Sequence, residues 1–430
     1  MRRMKDSGLL GIGDIPADWE VIKTKFVLSY VKRPPQNHSE VVTCFRDGTV
    51  TLRSNKREEG FTFSDKEIGY QQIHVGDFVF HGMDGFAGSI GVSDSFGKAS
   101  PVLIVCEQNK KSSNKYYCYY FRNLANNNVF EDAGNGVRIR SCDIRWNKLG
   151  NMYIIVPPLL SQHRIAAYLD AKCAEIDRSM ELVRQSMDKL KAYKMSVITE
   201  AVTKGLDPDV PMKDSGVPWI GGIPEGWEII RLKFIAPVQG GYSFKAEKFS
   251  TEHGIPLVRM NNLKRGMLNL EDAVKIQEED IIEEFFINEN DILIGLSGSL
   301  GDTGSLGNYA VASKGDLPCL LNQRVGRFIV SKSIKYKLIV YFLDTDFFKQ
   351  PLILDSNGTA QFNISPYDIG EVLVPLPPRS EQQDIIAYLD TKCAEIDAII
   401  VQKQALLDKL AAYKKSLIFE CVTGKREVAA

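Results

Sequence analysis

Apolar residues return every seventh position along two stretches of this chain. In the first, Leu169, Ile176, Val183, Leu190 and Val197 recur at that spacing, and Cys173, Met180, Met187 and Ala201 fill the alternate positions. In the second, Leu389, Cys393, Ile396, Ile400, Leu407, Leu410, Leu417 and Cys421 fall on the same seam. Such a repeat predicts a long helix whose apolar stripe packs against another helix. Each seam is broken by a lysine, Lys194 or Lys414, and the second adds Lys403 where the first has Val183. A cation there weakens a seam but tends to fix its register or partner. Neither stretch contains Pro or Gly; Pro157-Pro158 and Pro377-Pro378 stand upstream, and Gly205 or Gly424 closes the run. Ser380 with Gln383 offers a capping box to the second helix, whereas Ser161 has no such partner in the first. About 40 residues at about 1.5 Å each make a rod of roughly 60 Å, longer than a globular helix usually needs.

The two helices are copies. Residues 157–177 come back as 377–397, at an offset of 220 residues (157 to 377), with Tyr168-Leu169-Asp170 matching Tyr388-Leu389-Asp390. A second repeat lies ahead of each variable segment: Met4-Lys5-Asp6-Ser7, Ile15-Pro16, Trp19-Glu20 and Lys25-Phe26 reappear as Met212-Lys213-Asp214-Ser215, Ile223-Pro224, Trp227-Glu228 and Lys233-Phe234, an offset of 208 (4 to 212). The chain is therefore two tandem units, each an entry motif, a variable domain and a long helix. The expected boundaries are 1–156 for the first domain, 157–205 for its helix, 206–376 for the second domain, 377–425 for the second helix and 426–430 for a tail. Equivalence of the units also predicts a cut circle, with Gly424 near Met4.

The variable middles share pattern rather than sequence. β-branched and aromatic density predicts strands at residues 76–80, 102–106, 116–121, 153–156, 290–294, 327–330 and 372–375, with a helix near 335–345. Glycine-spaced loops, Gly82, Gly85 and Gly88 in one and Gly295, Gly298 and Gly301 in the other, follow strands. They lack Gly-x-Gly-x-x-Gly and read as turns. The fold class expected is α+β: two globular domains with β cores, separated by two long helices that form an antiparallel coiled coil with pseudo-two-fold symmetry.

Composition narrows the class of protein. The 430 residues are 44% hydrophobic and 25% charged, with net charge −1, which by itself argues neither for nor against nucleic acid. No apolar run approaches membrane-spanning length and the start lacks the apolar core of a signal peptide, so the expectation is a cytoplasmic protein without membrane contact. Eight cysteines show no CxxC pairing and five histidines are scattered, so no metal site is expected. The chain has no P-loop, and Ser365-Pro366-Tyr367-Asp368 lacks the leading amide and second proline of an amino-methylating tetrapeptide. No catalytic residue is expected.

A pair of unlike domains held at a fixed spacing suits an extended ligand with addressable positions, such as duplex DNA. Basic and amide residues with readout chemistry fall on loops of both middles. In the first these are Arg53, Lys56, Arg57, Lys110, Lys111, Lys115, Arg138 and Arg140; in the second, Arg259, Lys264, Arg265, Gln323, Arg324, Gln361 and Asn363. Lys and Arg serve phosphates, whereas Arg, Asn and Gln can pair base edges.

The repeated Pro-Pro…Gln…Ile…Tyr-Leu-Asp…Ile-Asp helix, ending in Glu200-Ala201-Val202-Thr203 or Glu420-Cys421-Val422-Thr423 and preceded each time by Ile-Pro…Trp-Glu, resembles the specificity subunit of type I restriction-modification enzymes. The resemblance covers essentially the whole chain. It implies two target recognition domains joined by an antiparallel coiled coil, each reading one half of an asymmetric bipartite double-stranded DNA site. It implies a non-catalytic chain that binds no cofactor, on which two modification (methyltransferase) subunits dock and methylate adenine with S-adenosylmethionine, and which restriction (translocase/nuclease) subunits can join. Unlike middles on near-identical helices further imply a non-palindromic target. Leu159-Leu160-Ser161-Gln162-His163 departs from the more family-like Arg379-Ser380-Glu381-Gln382-Gln383 at the start of the first helix. Two other readings compete: a coiled-coil adaptor whose middles bind proteins, and a free-standing enzyme, which the missing motifs disfavour.

Overall fold

The computed structural model describes residues 2–9, 11–36, 38–56, 68–107, 109–110, 112–130, 144–264, 266–299, 307–354 and 362–428. Two compact units divide the chain: Met1–Arg184 with Gln404–Ala430, and Gln185–Lys403. Each takes its own variable domain and part of both long helices.

Those helices are Leu159–Lys204, 46 residues, and Arg379–Val422, 44 residues. Both begin directly after the Pro-Pro pair, so the irregular 159–163 segment does not delay the first. Gly205 and Gly424 follow their ends with φ of 78° and 73°, the left-handed turn that glycine adopts without a Cβ clash. The seam residues Leu169, Ile176, Val197, Leu389, Ile396, Leu407 and Leu417 are buried, and Val183, Leu190, Ile400 and Leu410 are half-buried.

Within each unit the helix segments run antiparallel. In the first, Ile165 and Arg426 line one cavity while, further along the first helix, Asp177 meets Lys414, whose Nζ donates at 2.6 and 2.7 Å. In the second, Lys194 Nζ donates to Asp397 at 2.8 and 2.7 Å, and Gly205 lies beside Glu381. The two ion pairs are images of one another under the 220-residue offset. Each satisfies a seam lysine with a carboxylate of the facing helix, which fixes register while leaving the charge partly in water.

The divergent middles share a sheet. In unit 1 the order is Ser29–Tyr30, Leu103–Glu107, Phe78–His81, Ile90–Val92; in unit 2 it is Val238–Gly240, Val325–Phe328, Ile292–Gly295, Tyr309–Val311. Every pairing in both sheets is antiparallel. Unit 2 adds a sheet of order Phe249–Ser250, Lys275–Ile276, Ile255–Val258, Leu320–Leu321. The strand entering each long helix, Tyr153–Val156 or Leu373–Leu376, pairs antiparallel with the entry strand Glu20–Lys23 or Glu228–Arg231. The end of the chain returns to its start, because Gly424 abuts Pro16, the strand partner of Met4.

Residues 116–121, expected to be a strand, belong instead to the helix Asn114–Asn126. Aromatic density suggested a pleated surface, but Tyr116, Tyr117, Tyr120, Phe121 and Leu124 occupy one helical face and are all buried. Ser113 caps the helix, its Oγ accepting from Tyr116 N at 3.4 Å.

Candidate nucleic-acid interface

In unit 2 the strands Ile255–Val258 and Leu320–Leu321 are parallel neighbours, with Val258 opposite Leu321. Parallel strands release their chains on the same side, so Arg259 and the turn Asn322-Gln323-Arg324 emerge together. Asn322 N donates to Val258 O at 3.3 Å, and Gln323 N to Tyr242 O at 2.9 Å. Gly241 has to be glycine here, since a Cβ would fall 2.2 Å from Asn322 O. Tyr242, Gln323 and Arg324 are left exposed.

A second element completes the patch. Ser297–Gly298 pairs antiparallel with Phe362–Asn363, placing Ser297 opposite Asn363. Leu296 N donates to Arg324 O at 2.9 Å, and Arg324 Nη1 donates to Asn363 Oδ1 at 3.0 Å. Ser297 Oγ donates to Met260 Sδ at 2.8 Å, which draws in the residue after Arg259. Arg259 is half-buried, and its Nε is buried without an acceptor among the described residues. Arg259, Gln323, Arg324 and Asn363 thus share a surface that offers guanidinium and amide groups beside an exposed tyrosine. That is the donor and acceptor set of base-edge and phosphate contacts. Lys264 is exposed on a different hairpin, Leu263–Lys264 with Met267–Leu268.

The basic residues of unit 1 are more committed. Lys56 Nζ bonds Asp47 and lies 4.4 Å from the centre of the Phe45 ring. Burial opposes the charge on Asp47, yet the bonds from Lys56 and Thr49 prevail and hold its carboxyl down at about 2. Arg53 Nε reaches Thr43 Oγ1 at 3.5 Å. Lys110 is exposed and lines a cavity with Phe26, Tyr30 and Trp146, the last two rings stacked at 4.8 Å. Lys115 is taken by Asp170 at 2.9 Å and so is a structural tie. Arg57, Lys111, Arg138, Arg140, Arg265 and Gln361 lie outside the described residues.

Arg327, which the sequence placed only in a strand, is buried and satisfied. Its Nη1 donates to Phe286 O at 2.7 Å and Asp291 Oδ2 at 3.1 Å, and its Nη2 to Gln239 Oε1 at 2.6 Å and Glu284 O at 3.3 Å. It pins the sheet beneath the interface.

Sequence comparison of the middles missed how each domain is fixed to its helix. Lys115 and Tyr119 both bond Asp170, at 2.9 Å each; Lys337 and Tyr341 bond Asp390 at 2.5 and 2.8 Å. Burial first, and then the bonded carboxylate, push both phenols up, so they remain donors. Gln162 Oε1 accepts from Ser113 N at 2.9 Å, while Gln382 Oε1 accepts from Lys335 N at 3.0 Å. The signal existed as Lys-x-x-x-Tyr in each middle, at residues 115–119 and 337–341. Its offset differs slightly from that of the long helices, so it is hidden in an ungapped repeat.

Known proteins carry the same frame. The model of the type I restriction modification DNA specificity domain matches residues 224–408. The MjaVIII type I restriction enzyme specificity subunit of Methanocaldococcus jannaschii is 26% identical over 422 residues, spanning 96% of this chain and 94% of that protein. The EcoAI specificity subunit of Escherichia coli is 34% identical over 218 residues, 50% of this chain and 36% of that protein. Among solved structures, a chain from a study of complex assembly and conformational transition of the type I R-M system aligns with TM-score 0.74 at 16% identity, over 96% of this chain and 99% of that one. The HsdS subunit from Thermoanaerobacter tengcongensis aligns with TM-score 0.53 at 17% identity, over 97% and 99%. The fold of this chain, a duplicated helical frame carrying two unlike β-cored domains, is thus one that solved structures share. Residues 224–408 carry the type I restriction modification DNA specificity domain, and the chain as a whole is similar to type I restriction enzyme specificity subunits.

Proposed function

We propose that the two domains read separate halves of an asymmetric bipartite DNA target. In the same reading the duplicated helices and entry motifs dock two modification subunits, which carry S-adenosylmethionine and methylate adenine, and restriction subunits can join that complex. The chain supplies recognition and its partners the chemistry. One observation carries this: the same glutamine, lysine, tyrosine and aspartate ties seat both domain helices, while the surfaces presented beyond them differ.

Docking is supported by aromatic residues that repeat between the units yet stay in solvent. Phe26 is 68% exposed and its counterpart Phe234 63%, and Tyr193 and Tyr413 are likewise exposed. Large exposed aromatics are the side chains that anchor protein interfaces. Replacing both Phe26 and Phe234 by alanine is expected to weaken capture of modification subunits by about tenfold or more. Titration by calorimetry of the double variant against the parent chain checks this.

The reading is tested by mapping methylated adenines with long-read sequencing in a host that expresses the chain with its modification subunit. The expected result is one interrupted, non-palindromic motif. Arg324→Ala or Asn363→Ala should relax one part of that motif and leave the other intact, with a loss of about 1–3 kcal/mol for a base-edge contact. Methylation with no sequence preference would overturn the reading; a motif unchanged in both variants would move the contacts elsewhere.

A further inference from the structure

Trp19 and Trp227 are equivalents in the two entry motifs, and each is 1% exposed. In unit 2 the indole Nε1 of Trp227 donates to Glu381 Oε2 at 3.0 Å. The corresponding position of the first long helix is Ser161, and Trp19 Nε1 is buried with no acceptor among the described residues. Buried donors in native folds almost always find an acceptor. Against this indole lies a cavity of about 320 Å³, lined among others by Arg2, Ser161, Arg164, Arg426 and Glu427.

The charges differ between the units in the same sense. At the positions matching Arg2, Arg164 and Arg426, unit 2 has Val210, Asp384 and Leu206. The unit whose helix sets a glutamate against the indole has no arginine at these positions; the unit with Ser161 in its place has three. Arg2 is engaged by both oxygens of Asp18 at 3.0 Å, and Arg426 by Glu420 at 3.3 Å. Arg164 is exposed and makes no ion pair among the described residues.

We propose that this pocket of unit 1 receives a carboxylate from an acidic side chain of a partner polypeptide, accepting from Trp19 Nε1 with Arg164 and Arg426 beside it. The twin site supplies the geometry, because there a glutamate side chain fills the role. A single indole donor suits one carboxylate oxygen. Glu427 in the lining opposes a doubly charged phosphate more than a single carboxylate. Nothing in this depends on which ligand the two domains read.

The test uses the full-length ¹⁵N-labelled chain and the indole N–H resonance of Trp19, one of four tryptophans. It is identified by its loss in Trp19→Phe, or by its displacement in Ser161→Glu should the first variant fold poorly. The probes are N-acetyl-glutamate amide, its glutamine counterpart and inorganic phosphate. The glutamate probe is expected to move the resonance and the glutamine probe to leave it. Arg164→Gln, on the exposed face of the helix, should weaken the response by about tenfold, as the loss of one charge-assisted bond implies. Ser161→Glu supplies the carboxylate internally, so it should abolish the response and raise the melting midpoint by about 2–4 °C. No movement with the glutamate probe, equal movement with glutamine, or movement with phosphate alone would each overturn the proposal.

Discussion

Arg327→Leu should lose about 3–5 kcal/mol from unit 2, because it strips a guanidinium from four acceptors that no other cation serves among the described residues. Asp291, whose side chain is 19% exposed, would lose its cationic partner. The carbonyls of Phe286 and Glu284 and the amide oxygen of Gln239 would each lose a donor. Arg327 sits in the strand Val325–Phe328, which begins directly after Arg324. Loss of that strand should therefore erase recognition of one part of the target while the other survives. Urea unfolding monitored by tryptophan fluorescence would show a separate early transition, since the units need not unfold together. An unchanged profile would mean that the guanidinium is replaceable.

Gln162→Leu is expected to cost about 2–4 kcal/mol in unit 1, for a related reason. The side chain is 1% exposed and its amide bonds in two directions, accepting from Ser113 N and donating to Pro157 O at 2.8 Å. Leucine fills the space but leaves both backbone groups buried and unmatched. Gln162→Glu keeps the acceptor and loses the donor, so its effect should be intermediate if geometry rather than packing is responsible. Hydrogen exchange should report the damage at the N-terminal turn of Asn114–Asn126. Protection there equal to that of the parent chain would refute the tie.

The frame could be read from the sequence because it is written twice and obeys a heptad period. The seam residues, the entry motifs and the Pro-Pro boundaries all follow from repetition, whereas the strands Glu20–Lys23 and Glu228–Arg231 inside those motifs did not show. The interface was harder. Lys56 and Lys115 look like free cations until folding brings Asp47 beneath one and Asp170 beside the other, and sequence distance conceals the second pairing. Arg324 and Asn363 stand 39 residues apart in the sequence, and only the short ladder between Ser297–Gly298 and Phe362–Asn363 puts them in contact. Residues 116–121 misled because tyrosine and phenylalanine suit strands and buried helix faces alike, and the deciding cap, Ser113, lies outside the aromatic run. The shared sheet order of the middles was invisible because topology constrains which faces are apolar, not which residues make them so.

The way each domain is seated has a consequence for change over time. The long helix presents a glutamine and an aspartate, and the domain answers with a backbone N–H and a lysine and tyrosine one helical turn apart. Those demands say nothing about the rest of the domain. A plug with so few pins accepts very different bodies, so a foreign domain that brings a backbone N–H and a Lys-x-x-x-Tyr turn at the right place should fit the same socket.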